Sequence, residues 1–318
     1  MFSGLNNLRD ITLDVRFSEL CGYTDADVDS VFAPELPGLD REQIRRRYNG
    51  YNWLGASVYN PFDLLLLFES REFRPYWFET GTPTFLVKLL SDRQFFSTDL
   101  ARLQSSLTLL SSFEVNQIKP EALLFQAGYL TMLQSSQPLP GQWVYTLGYP
   151  NREVESSLNA ALLGDFGAPE HSLFDARLKL IDLLKAGNLP ALKDLFHAAC
   201  ATIPNDWCRK NALAKFEGYY ASIFYSYFAA LGLGLGIRLE DTTNKGRIDM
   251  AVLFAGQVFL FEFKVVELTP KGRALQQIKD KGYADKYRAR GEPIHLIGVE
   301  CSKASRNIVG FEVETLLF

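Results

Sequence analysis

Two carboxylates and a lysine stand where a tight hairpin would set them side by side. Asp249 closes the run Gly246-Arg247-Ile248-Asp249, and Glu262 and Lys264 lie in Gln257-Val-Phe-Leu-Phe-Glu262-Phe-Lys264. Both runs are rich in β-branched and aromatic residues, and the Ala255-Gly256 pair between them carries the signal of a two-residue loop. With that loop, Phe254 faces Gln257, and the same register sets Asp249 opposite Glu262 and Arg247 opposite Lys264. Alternation then gives one core face of Ile248, Met250 and Val252 with Phe259, Phe261 and Phe263. The other face is apolar near the turn (Ala251, Leu260, Leu253, Val258) and charged at its far end. Opposed carboxylates roughly 5 Å apart repel unless a cation lies between them. A hard divalent cation, Mg²⁺ or Mn²⁺, takes oxygen ligands from one or two carboxylates and keeps positions open for phosphate. Lys264, on the face of Glu262, would hold or activate a water beside it. A solvated strand end with scattered charges is the alternative reading.

The flanking elements must bring further groups to that end. Periodicity predicts a helix over 211–231 with a stripe of Leu213, Phe216, Tyr220, Ile223, Phe224, Tyr227, Phe228 and Leu231, and Glu217 falls on it. A lone acid on a core-facing stripe is costly unless paired or bound to a metal. A helix-start carboxylate favoured by the macrodipole is its plainer reading. A helix from Gly272 to about Arg290 places Gln277, Lys281, Ala284 and Arg288 on one face, towards the charged end of the hairpin. Tyr283 either stacks on a base or covers core. With the run Gly232–Glu240 ahead of the hairpin and the strand Ile294–Cys301 after the second helix, the order is αβββαβ.

Upstream, Asp25–Phe32, Asp40–Arg47, Pro61–Phe68, Thr84–Leu90 and Pro120–Leu130 read as helices, with Asn60 or Thr82 capping and proline in the first turn. Trp143–Leu147 reads as a short strand, and Gly148-Tyr-Pro-Asn-Arg152 as the domain boundary. The fold class is therefore mixed α/β, with a mainly helical domain over 1–147 and the αβββαβ part within 148–318. The net charge of −4 excludes wrapping of nucleic acid by the whole surface. Between Lys264 and Arg290, however, eight Lys or Arg stand against three acids. Such a local stripe beside carboxylates suits a phosphate-backbone substrate, although a solvated helix face shows the same count. Four scattered cysteines (Cys21, Cys200, Cys208, Cys301) suit reduced thiols in a cytoplasm, and no apolar run is long enough for a membrane span.

Glu217, Ile248-Asp249, Glu262-Phe-Lys264 and Gln277 stand in the order and spacing of the PD-(D/E)XK nuclease superfamily, which the chain resembles; Ile248 replaces the proline. The pattern Tyr48-Asn-Gly-Tyr-Asn-Trp53, Tyr59-Asn-Pro61, Trp77-Phe-Glu-Thr-Gly81, Gly128-Tyr-Leu-Thr131 and Tyr149-Pro-Asn151 further resembles bacterial proteins that join an AAA-ATPase-like domain to a C-terminal nuclease domain. The resemblance implies a restriction-endonuclease-like core after an AAA-lid-like domain. It implies Asp249, Glu262, the Phe263 carbonyl and Glu217 as metal ligands, with Lys264 and Gln277 completing the catalytic set. Arg247, Lys281, Tyr283 and Arg288 would bind nucleic acid. No phosphate-binding loop occurs, so no ATP site is expected, and the distal surface left by that part would favour self-association or a partner. Metal-dependent hydrolysis of phosphodiester bonds, in DNA by analogy, is the function implied. A non-catalytic module binding nucleic acid or protein is the rival.

Overall fold

Local capping chemistry starts the first helices. Thr24 and Asp27 form a capping box at α1 (Asp25–Ser30), and Asp40 accepts the Glu42 and Gln43 N–H groups at α2 (Arg41–Tyr48). A short antiparallel pair follows, β1 (Asn49–Tyr51) with β2 (Val58–Tyr59). Asn60 then caps α3 (Pro61–Ser70), with Pro61 in its first turn as predicted. Helices α4 (Tyr76–Glu79), α5 (Thr84–Asp92), α6 (Ser97–Ala101) and α7 (Pro120–Gln126) come next. A three-stranded antiparallel sheet of β3 (Leu103–Ser106), β4 (Thr131–Leu139) and β5 (Gln142–Gly148) has the order β3-β5-β4. It adds a sheet, with the expected strand over 143–147 inside β5, to a part whose described residues are otherwise mostly helical. Gly128, at φ 81°, turns the chain after α7, where the sequence pattern continued the helix to Leu130.

The computed structural model describes residues 11–81, 84–92, 95, 97–106, 119–165, 170–203, 217–232 and 234–318. Thr82, Cys208, Leu213 and Phe216 lie outside them. The chain divides into two compact units, Met1–Leu86 with Asp99–Ser157, and Val87–Thr98 with Leu158–Phe318. Among the described residues, no helix is long and apolar enough to cross a membrane.

Helices α8 (Arg152–Asp165), α9 (Glu170–Ala186), α10 (Leu189–Ala201) and α11 (Glu217–Ala229) lead to a sheet of five strands. These are β6 (Gly236–Thr243), β7 (Gly246–Phe254), β8 (Gln257–Val266), β9 (Ile294–Ser302) and β10 (Ile308–Leu316), in the order β10-β9-β8-β7-β6. Only β8 and β9 are parallel, joined through α12 (Arg273–Asp280). The core is thus αβββαβ with one further edge strand. Aromatic rings fix α11 to one face: Phe224 lies 5.0 Å from Phe263, and Phe228 lies 5.5 Å from Phe261. On the other face Ala251, Val258, Leu260, Ile278, Tyr283, Ala284, Tyr287, Ile294 and Leu296 form a buried cluster.

The hairpin has the predicted register from Phe254–Gln257 to Met250–Phe261, and both loop residues take positive φ, 51° at Ala255 and 72° at Gly256. The β7–β8 ladder ends one pair short of Asp249 and Glu262. Opposite Asp249 on β6, Glu240 takes φ 46°, and Ile248 joins the cluster of Ala251 and Leu260. Strict alternation expected Ile248 on the face of Met250, so the strand slips at Asp249. The single helix expected from Gly272 to Arg290 is also corrected. Gly282 at φ 56° breaks it, and Tyr283–Arg290 winds as 3₁₀ turns while Tyr283 and Tyr287 turn into the core.

In the first unit, Asp63 of α3 and Glu153 of α8 are both fully buried. Asp63 accepts the Trp77 N–H at 2.8 Å, and Glu153 accepts the Phe78 N–H at 3.1 Å. As two anions, Asp63 Oδ2 and Glu153 Oε2 would have no donor. One proton shared between them would let the two carboxyls hydrogen-bond to each other. Burial first, then for Glu153 the charge of Asp63, pushes both carboxyls above their ordinary range. The folded form therefore favours the protonated acid, and this contribution to stability is lost as pH rises. Wild-type protein should lose melting temperature on the alkaline side of neutrality. Glu153→Gln, which keeps a donor without a charge, should flatten that loss; equal alkaline losses in both proteins would refute the shared proton.

Candidate active site

The strand slip turns Asp249 into a substitute for a ladder partner. Its Oδ2 accepts the Phe263 N–H at 2.8 Å, which pins the end of β7 to β8 beside Glu262. Glu262 is 1% exposed. Its Oε1 accepts two donors, the Lys264 ammonium at 3.0 Å and the Gln277 amide from α12. Lys264 Nζ also donates to the Phe263 carbonyl at 3.1 Å and to Glu217 Oε2 at 3.4 Å. The structure therefore links Glu217, Asp249, Glu262, Lys264 and Gln277 through one set of contacts that runs over Lys264, Glu262 and the Phe263 backbone. Glu217 differs from expectation: its side chain is 47% exposed at the first described residue of α11, whereas Tyr220, Ile223, Phe224, Tyr227 and Phe228 are buried.

Burial raises the Asp249 carboxyl, against the opposing pull of the Phe263 N–H and Lys264. Burial, and then the charge of Asp249, pushes Glu262 up to about 7. Burial works to lower Lys264, but Glu262 above all, with Glu217 and Asp249, raises it. Lys264 is thus a fixed cation at neutral pH.

Among the described residues, no three His, Cys, Asp or Glu side chains gather to hold an ion. Two carboxylates and a backbone carbonyl are nonetheless the hard oxygen donors that Mg²⁺ accepts, its other positions being filled by water and phosphate. One atom shows the fit. Glu262 is drawn to the Asp249 backbone N–H, but its Oε2 is buried without a hydrogen bond of normal geometry. An orphaned carboxylate oxygen beside a second carboxylate is what an oxygen-seeking cation would satisfy.

Residues 215–311 match the family model of the PD-(D/E)XK nuclease superfamily. The match contains all five linked residues. Over 316 residues the chain is also 64% identical to an "Uncharacterized protein in vnfD 5'region" of Azotobacter chroococcum mcd 1. That alignment takes in 99% of this chain and 61% of the relative, so the chain spans about three fifths of the relative's length. No solved structure matches it significantly.

The residues predicted to bind nucleic acid scatter around this site. Arg247 pairs with Glu240 at 2.9 Å, and Arg288 pairs with Asp285 at 2.9 Å and lies over the Phe318 ring. Tyr283 is 2% exposed and offers no face to a base, which corrects its assignment as a stacking residue. The basic stripe is largely neutralised, because Lys279, Lys286 and Arg290 pair with Glu314, Asp241 and Glu292. Lys281 is exposed at the C-terminal end of α12. The break at Gly282 removes the face that Gln277 and Lys281 were to share with Ala284 and Arg288. Sequence reasoning missed Gly298 and Glu300 on β9; a glycine and a lone acid inside an apolar strand were the available signals.

The raised Glu262 carboxyl has a consequence for the metal-free protein. Its folded state favours the protonated acid, so the contribution is complete below the ordinary value of 4.5 and lost as pH rises through about 7. The shift corresponds to roughly 3 kcal/mol. In chelator, wild type should be less stable at about pH 8 than at about pH 5.5, and Glu262→Gln should be the more stable protein at the higher pH. Denaturant melts at both pH values decide this, and an unchanged or lower stability of Glu262→Gln at the higher pH would contradict it.

Proposed function

We propose that the chain is a metal-dependent nuclease hydrolysing phosphodiester bonds in DNA. The orphaned Oε2 of Glu262, held between Asp249 and the Lys264–Gln277 pair, is the observation that carries this reading. Asp249, Glu262 and the Phe263 carbonyl would hold one or two divalent ions, with Glu217 acting through water. Such an ion polarises a phosphoryl oxygen and lowers the pKa of a bound water. Lys264 and Gln277 share Glu262 Oε1, which fixes that carboxylate and leaves its second oxygen for a cation. Because neighbouring acids keep Lys264 charged, it serves as an electrostatic group that orients water and stabilises charge on the phosphoryl oxygens, not as a general base. Lys281 would touch the substrate backbone near Gln277. DNA rather than RNA rests on analogy with the superfamily.

The longer relative supports placing this domain in a larger protein. In that reading residues 1–147 are the distal, lid-like part of an AAA-ATPase-like domain, the nuclease domain follows from 148, and this chain itself hydrolyses no ATP. The local pairing of so many cations around the domain supports one rival, a domain that binds a protein partner and cleaves nothing.

Supercoiled plasmid incubated with Mg²⁺ or Mn²⁺ should be nicked, with no activity in chelator. Glu262→Ala and Lys264→Ala should each lower the rate at least about 100-fold. Cleavage that persists in both variants would remove the assigned site. A wild-type protein that neither cleaves nor binds metal by calorimetry would favour the binding domain.

A further inference from the structure

Gln277 reaches Glu262 only because α12 lies unusually close to the sheet, and β9 contains the two residues that allow it. Gly298 pairs in register with Glu262 across the parallel β8–β9 ladder. A Cβ at position 298 would stand 2.2 Å from the Leu275 backbone nitrogen and 2.8 Å from its Cα. The backbone of α12 therefore occupies the space a side chain would fill, directly beside Glu262. Two residues further on, Glu300 is 2% exposed. Its carboxylate accepts the backbone N–H groups of Lys271, of Arg273 at 2.6 Å and of Ala274 at 3.4 Å.

These contacts complete the start of the helix. Gly272, the residue before α12, lies at φ 66° and supplies no capping side chain. Glu300 provides that cap from a neighbouring strand, with its charge at the positive end of the helix dipole. A buried carboxylate is costly without such donors, and here Oε1 and Oε2 both have them. Gln277 lies one turn beyond Arg273, so the angle and height at which α12 begins decide where its amide falls.

We propose that Gly298 and Glu300 form a seat for α12, and that Glu300 is a positioning residue which holds the Gln277 amide on Glu262. Its catalytic meaning rests on the nuclease reading, but the seat itself is a statement about structure. Glu300→Gln removes one of the two acceptor oxygens while keeping size, and Gly298→Ala pushes against the helix backbone at Leu275 without removing any carboxylate acceptor.

Two measurements separate the seat from the activity. In wild type, the side-chain amide of Gln277, assigned by its loss in Gln277→Ala, should show nuclear magnetic resonance shifts and slowed hydrogen exchange typical of a bond to a carboxylate. In Glu300→Gln and Gly298→Ala that resonance should move towards the value of a solvent-exposed amide. An unmoved resonance in both folded variants overturns the proposal, whatever the enzyme does. For cleavage, Glu300→Gln should reduce kcat about 10- to 100-fold with little change in KM. The double variant Glu300→Gln/Gln277→Ala should be no slower than Gln277→Ala alone. Full additivity would show that Glu300 does not act through Gln277. A silent wild-type enzyme with the expected resonance shifts would retain the seat and reject the nuclease reading.

Discussion

The candidate site depends on how a buried carboxylate is kept in place. Glu262 sits on a central strand between two packed faces, where an isolated charge is strongly disfavoured. Its Oε1 is fixed from one side by a lysine of the same strand and from the other by a glutamine of α12. That fixation forces the surrounding geometry. The β7–β8 ladder stops before Asp249, the Asp249 side chain takes the next amide, and α12 comes down onto Gly298. These three departures from a regular sheet adjoin Glu262, the next residue Phe263 or its register partner Gly298.

Conflict between local rules and function accounts for that pattern. A regular hairpin would extend its ladder through position 249 and pack a side chain at 298. The structure gives up both and leaves Glu262 Oε2 unsatisfied, which costs stability in the absence of a ligand. The core pays no comparable penalty on the α11 side. There Phe224, Phe228, Phe261 and Phe263 pack edge-on and tilted, a rigid platform under the strand that carries the acids.

Much of this was legible in the residues. Ala255-Gly256 announced the turn, and alternation placed Asp249, Glu262 and Lys264 at one end, because short-range periodicity is set by the backbone itself. What could not be read were the long-range adjustments. The positive φ of Glu240 and the slip at Ile248 arise from sheet strain, which no local propensity encodes. The sequence pattern carries the helix after Gly272 on to about Arg290, whereas the chain breaks at Gly282 and Tyr283 and Tyr287 pack into the core beyond it. The apparent basic stripe misled in another way: counting cations between 264 and 290 ignores Asp241, Glu292 and Glu314, which lie outside that run and pair with Lys286, Arg290 and Lys279. Strand β10 escaped notice because its half-exposed alternation is weak.

The Asp63–Glu153 pair carries a consequence for how the chain acquires its structure. In an unfolded chain both carboxyls would be ionised at neutral pH. Enclosing them raises both and favours one shared proton, so folding of this unit near neutrality draws protons from the surrounding buffer. The heat released on folding then includes the buffer's own ionisation heat and differs between buffers at a single pH. The buffer acid is the proton's source and the closed core its keeper, which makes the first unit a small proton sink each time it forms.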